Sequence, residues 1–276
     1  MATTIANLGS PAPIGNLLIV DGLNVAFRWK HQNILDFKYD YIRTIESLAK
    51  SYKAGTIIVC ADGGSSYRKE IFPEYKANRK ERFADQTEQE AKEFEMFMAE
   101  FQDTLTLIKE KYPVFHFRGV EADDIAAYIT QSIDYDECWL ISSDKDWDLL
   151  ISDKVSRFST VTRKETTVHN WDEHYDFEIE DYITFKCLTG DKGDNVPGVP
   201  GVGPKRAVQL MEQYGTVFDI YDACPIDGRY KYIQAVNENA EQLLMNVELM
   251  DLITYCEDAI GEENKEVINN TLGKIL

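Results

Sequence analysis

The sequence lacks an apolar run of the roughly 20 residues that a membrane-spanning helix requires. Its first 16 residues also lack the basic start and continuous apolar core of a signal peptide. We therefore expect no membrane contact, and we interpret residues 1–16 as a flexible N-terminal tail. Cysteines are few as well: the chain has 5, and none forms a Cys-x-x-Cys motif. That pattern argues against a disulfide framework or a zinc site and favours a reducing compartment.

Basic residues are in deficit, with 29 Lys and Arg against 48 Asp and Glu and a formal net charge of -19. A protein that binds nucleic acid usually presents a basic surface. Either this protein avoids polyanions, or its acids gather where cations bind and its basic residues cluster elsewhere. The positions of the charges along the chain decide between these two interpretations.

Short apolar runs alternate with helical patterns in the first part of the chain. The predicted strands are Leu17–Val20, Thr56–Ala61, Val114–Phe117 and Cys138–Ile141. The predicted helices are Tyr41–Tyr52, Glu88–Lys111 and Ala122–Ile133. This alternation predicts an α/β fold with a mostly parallel central sheet flanked by helices. Residues 154–159 and 165–169 predict an antiparallel pair at a sheet edge. We divide the chain into an α/β core of residues 17–175 and a helical region of residues 176–276.

An acid follows every one of these strands. The acids are Asp21, Asp62, Glu121 and Asp144, and Asp123, Asp124 and Asp146 lie next to them. Ligands of such sheets bind where the strands end, and crowded carboxylates repel each other unless cations are bound. Oxygen-rich sites suit Mg²⁺ or Mn²⁺, and two ions about 4 Å apart can catalyse phosphodiester hydrolysis. Helix capping explains any one acid, but capping does not require an acid at every strand end.

The most specific stretch is residues 190–207. Asp191 and Asp194 precede a turn that contains Gly201 and Gly203, and Pro204 suits the first position of a helix. Free amides at that helix start, with Lys205 and Arg206, would hold a DNA phosphate. Carbonyls of the turn are candidates for a monovalent cation. A bare Gly-x-Gly turn is often only a tight loop, and the stretch is not a P-loop because Pro204 stands where that motif requires Lys.

Basic and aromatic residues are interleaved between residues 67 and 83. The basic residues are Arg68, Lys69, Lys76, Arg79, Lys80 and Arg82; the aromatic ones are Tyr67, Phe72, Tyr75 and Phe83. Such a segment can carry a single strand by phosphate contacts and base stacking. Lys76 and Arg79, one helical turn apart, are placed to stabilise charge on the cleaved phosphate. The alternative is a solvated helix face. We expect the acidic segment that follows, residues 85–110, to be an outer helix.

Together these motifs resemble the 5′-nuclease family, which includes flap endonucleases, nuclease domains of bacterial DNA polymerases and phage 5′-exonucleases, and the resemblance to the phage enzymes is close. The resemblance lies in residues 18–22, 73–76, 118–124, 139–142 and 255–256. It implies a PIN-like nuclease fold with a helical arch at about 67–110 and a helix-three-turn-helix motif at about 190–213. One departure is Gly63-Gly64-Ser65-Ser66 after Asp62, which predicts a flexible link into the arch.

The resemblance also implies roles for individual residues. The first metal site would use Asp21, Asp62, Glu121, Asp123, Asp124 and Asp144. The second would use Asp146, Asp191 and Asp194. Lys76 and Arg79 would be catalytic residues of the arch, and Val199 and Val202 would mark a turn that binds potassium. The implied DNA contacts are Tyr75, Lys186, Gly201, Gly203, Lys205 and Arg206.

The implied activities are a metal-dependent 5′→3′ exonuclease and a structure-specific 5′-flap endonuclease. They would remove RNA primers or flaps during phage DNA replication, in the cytoplasm of an infected bacterium. The substrates would be DNA with a 5′ single-stranded flap or branch, together with RNA–DNA hybrids, and the protein would act as a monomer.

Two rivals remain open on the sequence alone. A haloacid-dehalogenase phosphatase also begins with a strand and an Asp, but it needs a second Asp where this chain has Leu23. A catalytically inactive binder of branched DNA would keep the fold, yet we would expect it to carry Asn or Ala at several of the acidic positions.

Overall fold

The computed structural model describes residues 15–79 and 85–274. Lys80, Arg82 and Phe83 of the basic stretch, and residues 1–14 of the predicted tail, lie outside the described residues. Within the described ranges, no helix is long and apolar enough to cross a membrane. Four of the cysteines are buried and Cys224 is half-buried, all with free thiols.

A six-stranded sheet forms the centre of the fold, in the order β3-β2-β1-β4-β5-β6. Its strands are β1 (Asn16–Asp21), β2 (Ala54–Ala61), β3 (Val114–His116), β4 (Cys138–Ile141), β5 (Val155–Phe158) and β6 (Glu165–Thr166). β1 to β5 pair in parallel, and only β6 runs antiparallel, against β5. The predicted mostly parallel sheet with an antiparallel edge pair is therefore confirmed. β1 lies centrally because all its side chains from Leu17 onward are buried.

Helices cover both faces of this sheet. One face carries α1 (Gly22–Lys30), α2 (Lys38–Ser51) and α4 (Glu88–Lys109), while the short α3 (Ser66–Ile71) follows β2. α4 is not the outer helix that its acidity predicted. Phe97, Phe101, Leu105 and Ile108 form an apolar stripe at helical spacing, and this stripe packs into the core. Only the opposite side of α4 keeps its acids in solvent.

The other face carries α5 (Ala122–Ser132) and the last two helices, α11 (Leu252–Ile260) and α12 (Glu262–Leu272). Between them in sequence come α6 (Tyr182–Thr189), α7 (Pro204–Tyr214), α8 (Val217–Asp222), α9 (Lys231–Glu238) and α10 (Ala240–Met250), which share a second core. A two-stranded ribbon, β7 (Gly190–Asp191) and β8 (Val196–Pro197), joins α6 to the turn before α7. The C-terminal helices thus return to pack on the α/β core.

Candidate metal centre and nucleic-acid interface

Parallel strand pairing brings the predicted acids to one edge of the sheet. Asp21 ends β1, Asp62 directly follows β2, and Asp144 comes shortly after β4. Glu121 follows β3 and occupies the N-cap position of α5, where its side chain makes no capping hydrogen bond. Because β1 pairs in register with both β2 and β4, these carboxylates meet where the three strands end.

Several of these acids also have local capping roles. Asp21 accepts from the amide of Asn24 at 3.2 Å and from the Ser142 hydroxyl at 2.6 Å. Asp62 accepts from the amide of Ala122 at 2.9 Å, which fixes it to the start of α5. Asp144 accepts from the amide of Asp146 at 3.0 Å. The capping interpretation is therefore correct in part, and it explains why these side chains hold fixed positions.

Asp21 and Asp123 repel their neighbours strongly. Burial, then the charges of Asp62 and Asp144, raise the pKa of Asp21 well above its usual value. Burial and then the charges of Asp144 and Asp62 do the same to the pKa of Asp123. The indole Nε1 of Trp147 donates to Asp123 at 2.6 Å and holds it in this position. Carboxylates that raise each other's pKa in this way form a site that favours added positive charge.

Asp146, Asp191 and Asp194 gather on the other side of the site. Asp146 lies in a 3₁₀ turn, Lys145–Leu150, and Asp144, whose own backbone is extended, caps that turn. Burial raises the pKa of Asp146 to about 6. The Oδ1 of Asp191 accepts hydrogen bonds from the amides of Gly193 and Asp194, at 2.7 and 3.1 Å.

Protein cations neutralise this second group. The Nζ of Lys186 contacts Asp146 and lies 3.2 Å from Asp191. Arg79 donates to Asp194 at 2.7 Å. Lys76 bridges Glu121 and Asp194 and so connects the two groups of acids. Although burial opposes it, the charges of Lys76 and then Arg79 hold the pKa of Asp194 below its usual value.

A small cavity separates the two groups of acids. Its volume is about 10 Å³, and Asp123, Asp146, Asp191 and Asp194 are among its lining residues. That space is close to the volume needed for one water molecule. Its oxygen donors are those that Mg²⁺ and Mn²⁺ prefer. Within residues 15–79 and 85–274, however, no three His, Cys, Asp or Glu side chains already form the shell of a metal ion. Lys76, Lys186 and Arg79 hold several of the oxygens, so these contacts must rearrange before an ion binds.

Arg68 is buried beneath the site, with 3% of its surface exposed. Its guanidinium donates to both oxygens of Asp124 at 2.7 Å, to Glu121 at 2.7 Å and to the carbonyl of Leu249 at 2.7 Å. Glu121 and Asp124, three residues apart, thus share one cationic partner. Asp124 therefore faces an arginine, whereas Asp123 faces the other acids.

The base of the predicted arch differs from the sequence expectation. Residues 73–77 form a turn in which Lys76 has φ 56, so Lys76 and Arg79 are not one turn apart on a helix. The ring of Tyr75 is only 4% exposed and packs in the second core, while its hydroxyl donates to Asp194 at 2.8 Å. This burial excludes base stacking on Tyr75 in this conformation.

Backbone hydrogen bonds hold the glycine link after Asp62 in one position, so the prediction of a flexible link is wrong. Gly63 exchanges backbone hydrogen bonds with Val120 and Gly119, at 2.8 and 2.7 Å. A Cβ on Gly63 would lie 1.8 Å from the Phe117 carbonyl oxygen. Gly63 is therefore required by close packing against the loop before α5.

The turn before α7 presents backbone and basic groups to the surface. Pro204 is the first residue of α7, as expected. Gly201 has φ 79 and needs glycine, whereas a Cβ on Gly203 would meet no protein atom within 4 Å. Lys205 is exposed. Arg206 donates to the Gly201 carbonyl at 2.6 Å and lies 4.6 Å from the ring centre of Tyr232, a partner that the sequence did not indicate.

The side chains of the remaining residues, which were predicted to mark the potassium turn or to bind DNA, are more buried than a side chain that contacts DNA would be. The side chains of Val199 and Val202 are 3% and 7% exposed, and the Val202 amide donates to the Val199 carbonyl at 3.0 Å. Lys186, predicted to bind DNA, is 6% exposed and faces the acids.

A buried ion pair supports the site and was missed from the sequence. Arg157 on β5 donates to both oxygens of Asp148, at 2.5 and 2.8 Å, and to the Ser142 carbonyl at 3.1 Å. Tyr175 donates to Asp148 at 2.5 Å. This network anchors the 3₁₀ turn that carries Asp146. An arginine within the short predicted edge strand, between Val155 and Phe158, was the signal that could have revealed it.

Family models account for most of the chain. The model of the 5′-3′ exonuclease N-terminal resolvase-like domain matches residues 16–176, and that of the 5′-3′ exonuclease C-terminal SAM fold matches residues 177–268. The chain therefore belongs to the 5′-3′ exonuclease family, whose members hydrolyse phosphodiesters. This assignment removes the phosphatase alternative.

Among individual proteins, the chain is similar to the flap endonuclease of Escherichia phage T5. The two are 47% identical over 266 residues, which cover 95% of this chain and 91% of that protein. The T5 5′-exonuclease solved with divalent zinc ions superposes with a TM-score of 0.91 at 46% identity, over 94% of this chain and 99% of that one. A T5 flap endonuclease complex with DNA and metal ions superposes with a TM-score of 0.91, over 94% of this chain and 98% of that one. DNA polymerase I of Bacillus subtilis is 29% identical over 86% of this chain and 28% of its own length.

Proposed function

We propose that this protein is a divalent-metal-dependent 5′→3′ exodeoxyribonuclease and structure-specific 5′-flap endonuclease. The observation that carries the proposal is the gathering of acids at one sheet edge beside Lys76 and Arg79. The similarity to a phage flap endonuclease over 95% of the chain supports it. The substrate would be DNA with a 5′ single-stranded flap or branch, and RNA–DNA hybrids would also be cut.

Mg²⁺ or Mn²⁺ would be held by two sets of oxygens. Asp21, Asp62, Glu121, Asp123 and Asp144 would form the first set, and Asp146, Asp191 and Asp194 the second. Ions at such a site supply an activated water and stabilise the leaving oxygen. We propose that Asp124, whose oxygens both bind Arg68, fixes that arginine against Glu121 and is not itself a ligand.

The chain's own residues would position the nucleic acid. Lys76 and Arg79 lie beside the acids, so a phosphate that displaces their carboxylate partners would receive two positive charges. At the start of α7, the backbone and the side chain of Lys205 would hold a duplex phosphate, with a potassium ion at the carbonyls around Val199 and Val202. Lys186 would balance the second set of acids when no phosphate is near. Since the acidic edge is complete in one chain, we propose a monomer, acting in phage DNA replication in the cytoplasm of an infected bacterium.

The test is cleavage of a 5′-flap substrate with Mg²⁺ and with EDTA. Asp144→Asn keeps the acceptor for the Asp146 amide but removes a charge, so we expect cleavage to be abolished and DNA affinity to be largely kept. The matched control is Asp103→Asn, an exposed acid on α4. Turnover by Asp144→Asn close to that of the control would contradict the metal assignment, and EDTA-resistant cleavage would contradict the metal dependence.

A further inference from the structure

A surface groove of about 490 Å³ lies on the sheet face that carries α1 and α2. Arginines enter it from three separate elements: Arg28 from α1, Arg43 from α2 and Arg163 from the turn between β5 and β6. Asp40 is the one acid among its lining residues. In a chain with a net charge of -19, such a convergence of arginines marks a place suited to an anion.

The three arginines are exposed and available. Arg43 contacts Asp40 on the same helix, but their side chains are 75% and 50% exposed, so this pair is weak and a phosphate can compete with it. Arg163 is fixed by its left-handed backbone, φ 57, and by its amide, which donates to the Ser159 carbonyl at 2.9 Å. Guanidinium groups bind phosphate oxygens in pairs.

Hydrogen bonds connect the groove to the edge of the sheet that carries the acids. Ser143, next to Asp144, accepts from the Ser159 hydroxyl at 3.1 Å and from the Val161 amide at 3.3 Å, and its hydroxyl lies 3.4 Å from that of Thr160. Thr160 itself lines the groove. The groove, on the sheet face opposite α5 and α11, is therefore linked by hydrogen bonds to the residue that precedes Asp144.

We propose that this groove binds the phosphates of the uncut strand where that strand leaves the junction as single-stranded DNA. The proposal rests on the proposed function. At a branch the cut strand crosses the acids, and α7 offers its basic start to the duplex. The uncut strand then needs a second path away from the acids, because they repel it. Arginines on the far face of the sheet provide that path.

The test uses Arg43→Gln/Arg163→Gln, which leaves Arg28 in place and keeps side-chain length. The control is Lys53→Gln/Lys109→Gln, which removes the same charge from exposed lysines at the opposite edge, before β2 and β3. Two substrates are compared: a forked duplex with 5′ and 3′ single-stranded arms, and the same duplex without the 3′ arm. Kd is measured over a range of salt concentrations, and cleavage in single turnover.

We expect the arginine variant to bind the two-armed substrate about 10-fold more weakly. Its slope of log Kd against log salt should fall by about 1.4, the value for two lost contacts to a single strand. Binding of the substrate without the 3′ arm should be unchanged. Two results would overturn the proposal that the groove binds the uncut strand. One is equal affinity of variant and wild type for both substrates, and the other is an equal loss of affinity for both.

Failure of the proposed function has a different outcome. If wild type cleaves both substrates while the variant binds like wild type, only the groove is overturned. If wild type cleaves neither, yet the variant loses affinity for the 3′ arm alone, the nuclease proposal is overturned and the groove stands. A loss in the lysine control as large as in the arginine variant also overturns the groove, because it would reflect net charge.

Discussion

The acids of this site are held in two different ways. Asp21, Asp62, Asp123 and Asp144, the unpaired acids, form no ion pair within the described residues, and the sheet edge and the start of α5 fix them. Glu121, Asp124, Asp146, Asp191 and Asp194, the paired acids, contact Arg68, Lys76, Arg79 or Lys186. No cation in the described part of the chain pairs with the unpaired acids, whereas in the paired acids a lysine or arginine offsets part of the repulsion. Added cations should therefore act most strongly on the unpaired acids.

Arg68→Ala tests the paired acids, because it removes the cation that binds two of them. The change leaves Glu121 and Asp124 as buried charges without their arginine, so we expect the free energy of unfolding to fall by about 3–5 kcal/mol. Urea denaturation measures this loss. Arg68→Lys is the matched control, because it restores one charge and should recover part of the stability. A loss below about 1 kcal/mol would mean that these two acids find other partners.

Asp123→Asn tests the unpaired side. The amide keeps an acceptor for Trp147 and removes a carboxylate whose pKa is raised by burial and by the charges of Asp144 and Asp62, so stability in EDTA should rise by about 1 kcal/mol. If Asp123 is a metal ligand as proposed above, cleavage should fall by more than about 100-fold, since loss of a ligand exceeds loss of its outer partners. Melting temperature and single-turnover cleavage measure the two effects. If the variant is less stable than the wild type and still cleaves DNA, the prediction for the unpaired acids is wrong.

The pH dependence of stability sharpens the comparison at Asp146. Its folded pKa of about 6 lies above 3.8, the ordinary pKa of an aspartate, so the folded state penalises the charged form. That penalty is complete above pH 6 and is relieved as the pH falls through 6. If Asp146 holds a metal ion as proposed above, Mg²⁺ competes with this proton.

We therefore expect the rise in melting temperature on adding Mg²⁺ to be about 2 °C or more larger at pH 8 than at pH 5.5. Asp146→Asn should flatten this difference. Equal increments at both pH values in the wild type would show that Asp146 does not respond to the ion.

The strand-end rule anticipated much of the site. Asp21, Asp62 and Asp144 could be placed together from the sequence because parallel strands share one carboxyl edge. The conformation of Asp146 could not be predicted, since it depends on a 3₁₀ turn anchored by Arg157 and Asp148. Gly63 also misled the prediction: two consecutive glycines suggest mobility, but here one of them permits contact with the Phe117 backbone.

The sequence by itself determined the α/β order, the sheet edge that collects the acids and the glycine turn before α7. These follow from local periodicity and from the fixed direction of parallel strands. Only the tertiary structure decided which acids are paired, that Tyr75 is buried, and that Arg28, Arg43 and Arg163 share a groove. Such contacts join residues far apart in the chain, and their energies depend on burial and distance, which no short stretch of sequence contains.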